Sequence, residues 1–125
     1  MANWTPAGFI GQLFKTLGGY VTPPPGVKSP ALWGTDEFIQ ENFGSPATSI
    51  VNTPKMFNFR YLSVDHWLHT FGNYYGPLLK AIESLEESKA GELRADVASL
   101  LNSMNVATDG TVVVPSKYYE TIVTL

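Results

Sequence analysis

Met56-Phe57-Asn58-Phe59-Arg60-Tyr61 alternates large aromatic side chains with a mixed set. A period of two puts Phe57, Phe59 and Tyr61 on one face of an extended chain and Met56, Asn58 and Arg60 on the other. The stretch therefore predicts a strand over 56–62 with an aromatic inner face. Upstream, a strand is expected over 47–51. Asn52-Thr53-Pro54-Lys55 would join the two, because Pro54 withholds a backbone N–H from a continuous ladder. At the far end, Tyr118 to Leu125 is rich in β-branched and aromatic residues and predicts a closing strand over 117–125. Asp109-Gly110 marks a turn before it, and Val112 to Val114 reads as a short apolar piece.

The segments between these strands carry helical spacing. Thr5-Pro6 reads as a cap with proline in the first turn, after which Phe9, Ile10, Leu13, Phe14 and Leu17 recur until Gly18-Gly19. Thr35 caps a second helix with Asp36 and Glu37 in its first turn. Ser63 caps a third, with Asp65 in its first turn and Val64, Trp67, Leu68 and Phe71 along one stripe. Gly76-Pro77 starts a fourth through Leu78, Leu79, Ile82 and Leu85, and a fifth is expected from about 91 to 104. Tyr20 to Pro30, with four prolines and a glycine, reads as a stiff loop. The fold expected is α+β: one domain over 1–125, with a small antiparallel sheet packed against several helices.

Composition narrows the function. A chain of 125 residues with 44% hydrophobic and 15% charged side chains suits one globular core. A net charge of −3 without a basic run gives no footprint for nucleic acid or an anionic membrane surface. With no cysteine and only two histidines, neither a metal site nor a disulfide framework is expected. No signal peptide or membrane-length apolar run is present in the sequence, and the cytoplasm is the expected compartment.

Several phrases, Asn3-Trp4-Thr5-Pro6 with Gly8-Phe9-Ile10-Gly11, Pro23-Pro24-Pro25, Leu32-Trp33-Gly34 and Tyr74-Tyr75-Gly76-Pro77, resemble in kind and order the C-terminal part of class I S-adenosylmethionine-dependent methyltransferases of the UbiE/type 11 kind. The resemblance implies that the first phrase follows the fifth strand of such a sheet, and that the proline loop and the helix after it lie over a substrate pocket. It also implies that the last two strands form an antiparallel, hairpin-like pair at the sheet edge. The features that hold S-adenosylmethionine in that family, a glycine-rich turn after the first strand and an acidic residue ending the second, are absent from this sequence. Gly8 and Gly11 read as helix residues with no strand before them. No cofactor is expected.

The candidate catalytic residues are His66, His69 and Tyr74. An imidazole titrates near neutral pH and suits acid–base work. The candidate substrate-binding residues are Trp4, Phe9, Trp33, Arg60, Trp67 and Tyr75, which together offer apolar surface and a few polar groups. The function expected is that of a truncated methyltransferase-like domain that binds an apolar small molecule or a partner chain without methyl transfer of its own. The alternatives are a small cyclase or isomerase of natural-product biosynthesis using a repurposed pocket, and an excised fragment of an active methyltransferase. An uncovered sheet edge further suggests a homodimer.

Overall fold

The computed structural model describes residues 1–125. In chain order the elements are β1 (Ala2–Trp4), α1 (Phe9–Gly18), a 3-10 turn (Pro30–Gly34), α2 (Asp36–Phe43), β2 (Ser49–Tyr61), α3 (Val64–Tyr74), α4 (Gly76–Ser84), α5 (Glu87–Met104) and β3 (Val112–Thr124). The fold is α+β, as expected: a three-stranded antiparallel sheet, in the order β1-β3-β2, packs against the helices.

The strands run longer than their local patterns suggest. The segments at 47–51 and 56–62 are one strand, β2, and the apolar piece at 112–114 is continuous with the closing strand in β3. The register explains how Pro54 sits inside a ladder. Thr121 donates its N–H to Met1 O at 2.7 Å and Thr5 donates to Lys117 O at 3.2 Å, so odd-numbered β3 residues turn their backbone groups toward β1. The even-numbered ones therefore face β2, where their partners are odd-numbered, as in Lys55 opposite Tyr118 and Phe57 opposite Ser116. Pro54 is even-numbered and points to the free edge of the sheet, where a missing N–H costs no hydrogen bond.

The helices keep the expected order with shifted ends. Helix α1 begins at Phe9 and not at Thr5-Pro6, because Thr5 is still tied to β3 through its N–H. Thr35 and Ser63 cap α2 and α3 through their hydroxyls, which accept from the N–H groups of Phe38 and His66. Helix α5 begins at Glu87, earlier than expected, and buries Ala90, Leu93, Val97 and Leu101 along one stripe. The core joins Leu93, Val97 and Leu101 to Phe9, Ile10 and Leu13 of α1, Trp67 of α3, Leu78 of α4, Phe59 of β2 and Val112 and Val114 of β3. Each such side chain withdrawn from water contributes about 1.5–3 kcal/mol. The last two strands are antiparallel neighbours with β2 at the sheet edge, and α3, α4 and α5 lie between them in the chain.

Candidate functional site

The register defines two faces of the sheet. Directly opposite residues of paired strands project to the same side, so Trp4, Tyr118 and Lys55 form one row across β1, β3 and β2. Phe57 and Phe59 follow on the same face. Helices α1, α3 and α5 cover the half of this face that carries Phe59, Val112, Val114 and Ser116. The other half is open: Phe57 is 50% exposed, and Val51 and Ile122 are exposed as well. Helix α2 sits against the opposite face, where Asn52 donates from its amide to Asp36 and accepts from the Thr121 hydroxyl.

The open half presents an aromatic cluster. Trp4 meets Phe57 edge-on at 6.2 Å, Tyr118 edge-on at 5.8 Å and Phe59 at 5.7 Å between ring centroids. Beside it Lys55 Nζ lies 3.0 Å from Glu120 Oε2. These two are the only charged side chains on this face of the sheet. The hydrogen bond to Glu120, and then its negative charge, push the Lys55 ammonium above its ordinary pKa. Sequence reading missed Phe57, Tyr118, Lys55 and Glu120 as a group, since only the β2–β3 register brings them to Trp4.

The residues singled out from the sequence fall in four places. Trp4, Phe9, Trp67 and Tyr75 belong to one chain of ring contacts, which Phe59 and Phe71 complete. Phe9 and Trp67 lie inside it with no exposed surface, so they are core and offer nothing to a ligand. Tyr75 is half-buried, and burial raises its phenol pKa. Trp33 packs elsewhere, against Phe38 and Phe43. Arg60 is exposed and projects from the face opposite Phe59. His66, His69 and Tyr74 are all exposed on α3. His66 Nδ1 accepts from the Leu62 N–H at 3.2 Å, and His69 Nδ1 lies 3.3 Å from the Asn73 amide. These three share a helix surface and not a cavity.

A strand does precede Gly8 and Gly11, contrary to expectation, yet the turn between β1 and α1 is filled by the protein itself. The Gly8 N–H donates to Thr5 Oγ1 at 3.2 Å and the Ile10 N–H to buried Ser116 Oγ at 3.3 Å. A side chain at Gly11 would meet Thr5 O at 2.2 Å, and one at Gly34 would meet Trp4 O at 2.0 Å. The glycines serve close packing around Asn3-Trp4-Thr5-Pro6. Two of the N–H groups that would grip a phosphate at this turn, those of Gly8 and Ile10, are thus engaged within the protein.

Two clefts lie apart from the Trp4 cluster. One of about 880 Å³, between the end of α1 and the start of α5, is lined by Lys15, Tyr20, Lys89, Glu92 and Asp96 among others. Its charges largely pair internally, Lys89 with Glu92 at 3.0 Å and the Tyr20 hydroxyl with Asp96. The other, of about 390 Å³, is lined by Met1, Phe43, Thr121, Ile122, Val123 and Leu125. No helix is long and apolar enough to cross a membrane.

No protein-family profile matches the chain. Uncharacterized proteins of Mycobacterium bovis and Mycobacterium tuberculosis are similar to it, each 31% identical over 88 residues, which is 69% of this chain and 32% of the relative. The matched region thus spans about a third of the length of these curated relatives.

Proposed function

We propose that this chain is the substrate-side portion of a methyltransferase-like fold, and that it binds an apolar small molecule on the open aromatic half of its sheet without methyl transfer of its own. The observation that carries the reading is the row of half-buried Trp4 and Tyr118 and exposed Lys55, with half-exposed Phe57 beside it, on one face of the sheet. Apolar surface with a small number of polar groups is the usual composition of a small-molecule site.

The layout supports the family part of the reading. The phrase Asn3-Trp4-Thr5-Pro6 runs from a strand into the turn before α1, and Leu32-Trp33-Gly34 closes against it through Gly34. The last two strands are antiparallel neighbours with β2 at the edge. The length of the mycobacterial relatives agrees with a chain that corresponds to one part of a longer protein. The bonds of the Gly8 and Ile10 N–H groups to Thr5 and Ser116 favour a domain that holds no cofactor at the start of α1. A cyclase or isomerase using His66 and Tyr74 has no comparable support, because those side chains face solvent.

The test is equilibrium dialysis against S-adenosylmethionine together with a titration by 2-naphthol followed by tryptophan fluorescence. We expect no retention of S-adenosylmethionine, saturable binding of 2-naphthol, and loss of that binding in Phe57→Ala, a variant that removes a half-exposed ring and leaves the buried core intact. Retention of S-adenosylmethionine, or 2-naphthol binding that Phe57→Ala leaves unchanged, contradicts the reading.

A further inference from the structure

We infer that the ligand of the aromatic face is an aryl carboxylate, its ring against Phe57 and Tyr118 and its anionic group on Lys55. The inference rests on the binding face proposed above and specifies its chemistry. Lys55 stands directly opposite Tyr118 in the sheet register, two residues from Phe57 on the same strand and face. Its ammonium is the only cationic side chain on this face of the sheet, since the remaining basic residues of the strands, Arg60 and Lys117, project from the other face.

Its present partner is a weak competitor. Both side chains of the Lys55–Glu120 pair are 43% exposed, and ion pairs open to water hold little net free energy. A carboxylate anchored by its own ring arrives without the cost of ordering a flexible chain, and can displace Glu120 from Lys55. Glu120 would then turn to solvent, as its exposure permits. A cationic ligand faces the reverse situation, because Lys55 repels it from the only carboxylate available.

The experiment compares 2-naphthoate, 2-naphthamide and (2-naphthyl)trimethylammonium by titration of the full chain at low salt. The expected order is naphthoate tightest, by about fivefold over the amide, with the ammonium compound weakest and the preference shrinking as salt is raised. Lys55→Met should abolish the preference for naphthoate, while Glu120→Gln should strengthen naphthoate binding by freeing Lys55. Equal binding of all three compounds overturns the carboxylate assignment and leaves the aromatic face standing. Tightest binding of the ammonium compound overturns it in favour of Glu120 as the handle. Failure of every compound to bind removes the face itself.

Discussion

Ser116 and Ile10, 106 residues apart in the chain, meet where the Ser116 hydroxyl accepts the Ile10 backbone N–H at 3.3 Å. Helix α1 has no capping side chain at Gly8, so its first-turn donors depend on Thr5 and on this serine from β3. Ser116→Ala should cost about 1–2 kcal/mol, because it leaves a buried N–H without a partner. Ser116→Thr should cost less if the added methyl is accommodated. Urea denaturation of the two variants measures both values; an unchanged midpoint for Ser116→Ala would show that the contact does not hold α1 in place.

Gly34, Gly11 and Gly91 should respond differently to alanine. A Cβ at Gly34 or Gly11 would come within 2.0 Å or 2.2 Å of backbone oxygen atoms in the Trp4 to Pro6 turn. Neither backbone can yield without moving β1 or α1, so both substitutions should destabilise by several kcal/mol, about what overpacking a core costs or more. Gly91 meets nothing within 4 Å on the exposed side of α5, and Gly91→Ala should stabilise by about 0.5–1 kcal/mol. Thermal unfolding of the three variants tests the contrast in sign.

Tyr20 should make stability fall in the alkaline range. The hydrogen bond its hydroxyl donates to Asp96, and then burial and the charges of Asp96 and Glu92, push its phenol from 10.0 up to about 12. A raised folded-state pKa adds stability that is complete below the unfolded value and is lost as pH rises through the folded one. The wild type should therefore lose stability between pH 10 and 12 more steeply than Tyr20→Phe. Melting temperatures of the two proteins across that window should converge; parallel curves would mean that the Tyr20–Asp96 contact is not made in solution.

Pro54 tests the strand register. If it faces the free edge of β2, Pro54→Val should leave the ladder to β3 intact and keep stability within about 0.5 kcal/mol. The restored N–H should also make the exposed edge a better template for pairing, so the variant should self-associate at lower concentration. Sedimentation velocity with a parallel denaturation series distinguishes this from a register in which Pro54 already interrupts the sheet.

What the sequence discloses follows from how local each determinant is. The aromatic alternation at Phe57, Phe59 and Tyr61, and the caps Thr35 and Ser63, act within a few residues and were legible directly. Strand β1 was not, because three residues show no period and are extended only through pairing with Glu120, Tyr119 and Tyr118. Pro54 misled for the same reason: whether its missing N–H matters depends on which edge it faces. The candidate site shows a similar split. Trp4 was recognisable as an aromatic of interest, but its neighbours Tyr118, Lys55 and Phe57 reach it only through sheet register. Phe9 and Trp67 were indistinguishable from it in sequence, and burial alone assigns them to the core.

The three tryptophans make the central claim directly measurable, since Trp4 borders the open aromatic face, Trp67 is enclosed in the core and Trp33 packs against Phe38 and Phe43. The decisive measurement is an amide and indole NMR titration of the isotope-labelled chain with 2-naphthoate. The indole resonance of Trp4 should move, along with the amides of Phe57 and Tyr118, while the indoles of Trp33 and Trp67 stay in place. Movement confined to Trp33, or no movement at Trp4 at saturating ligand, would contradict it.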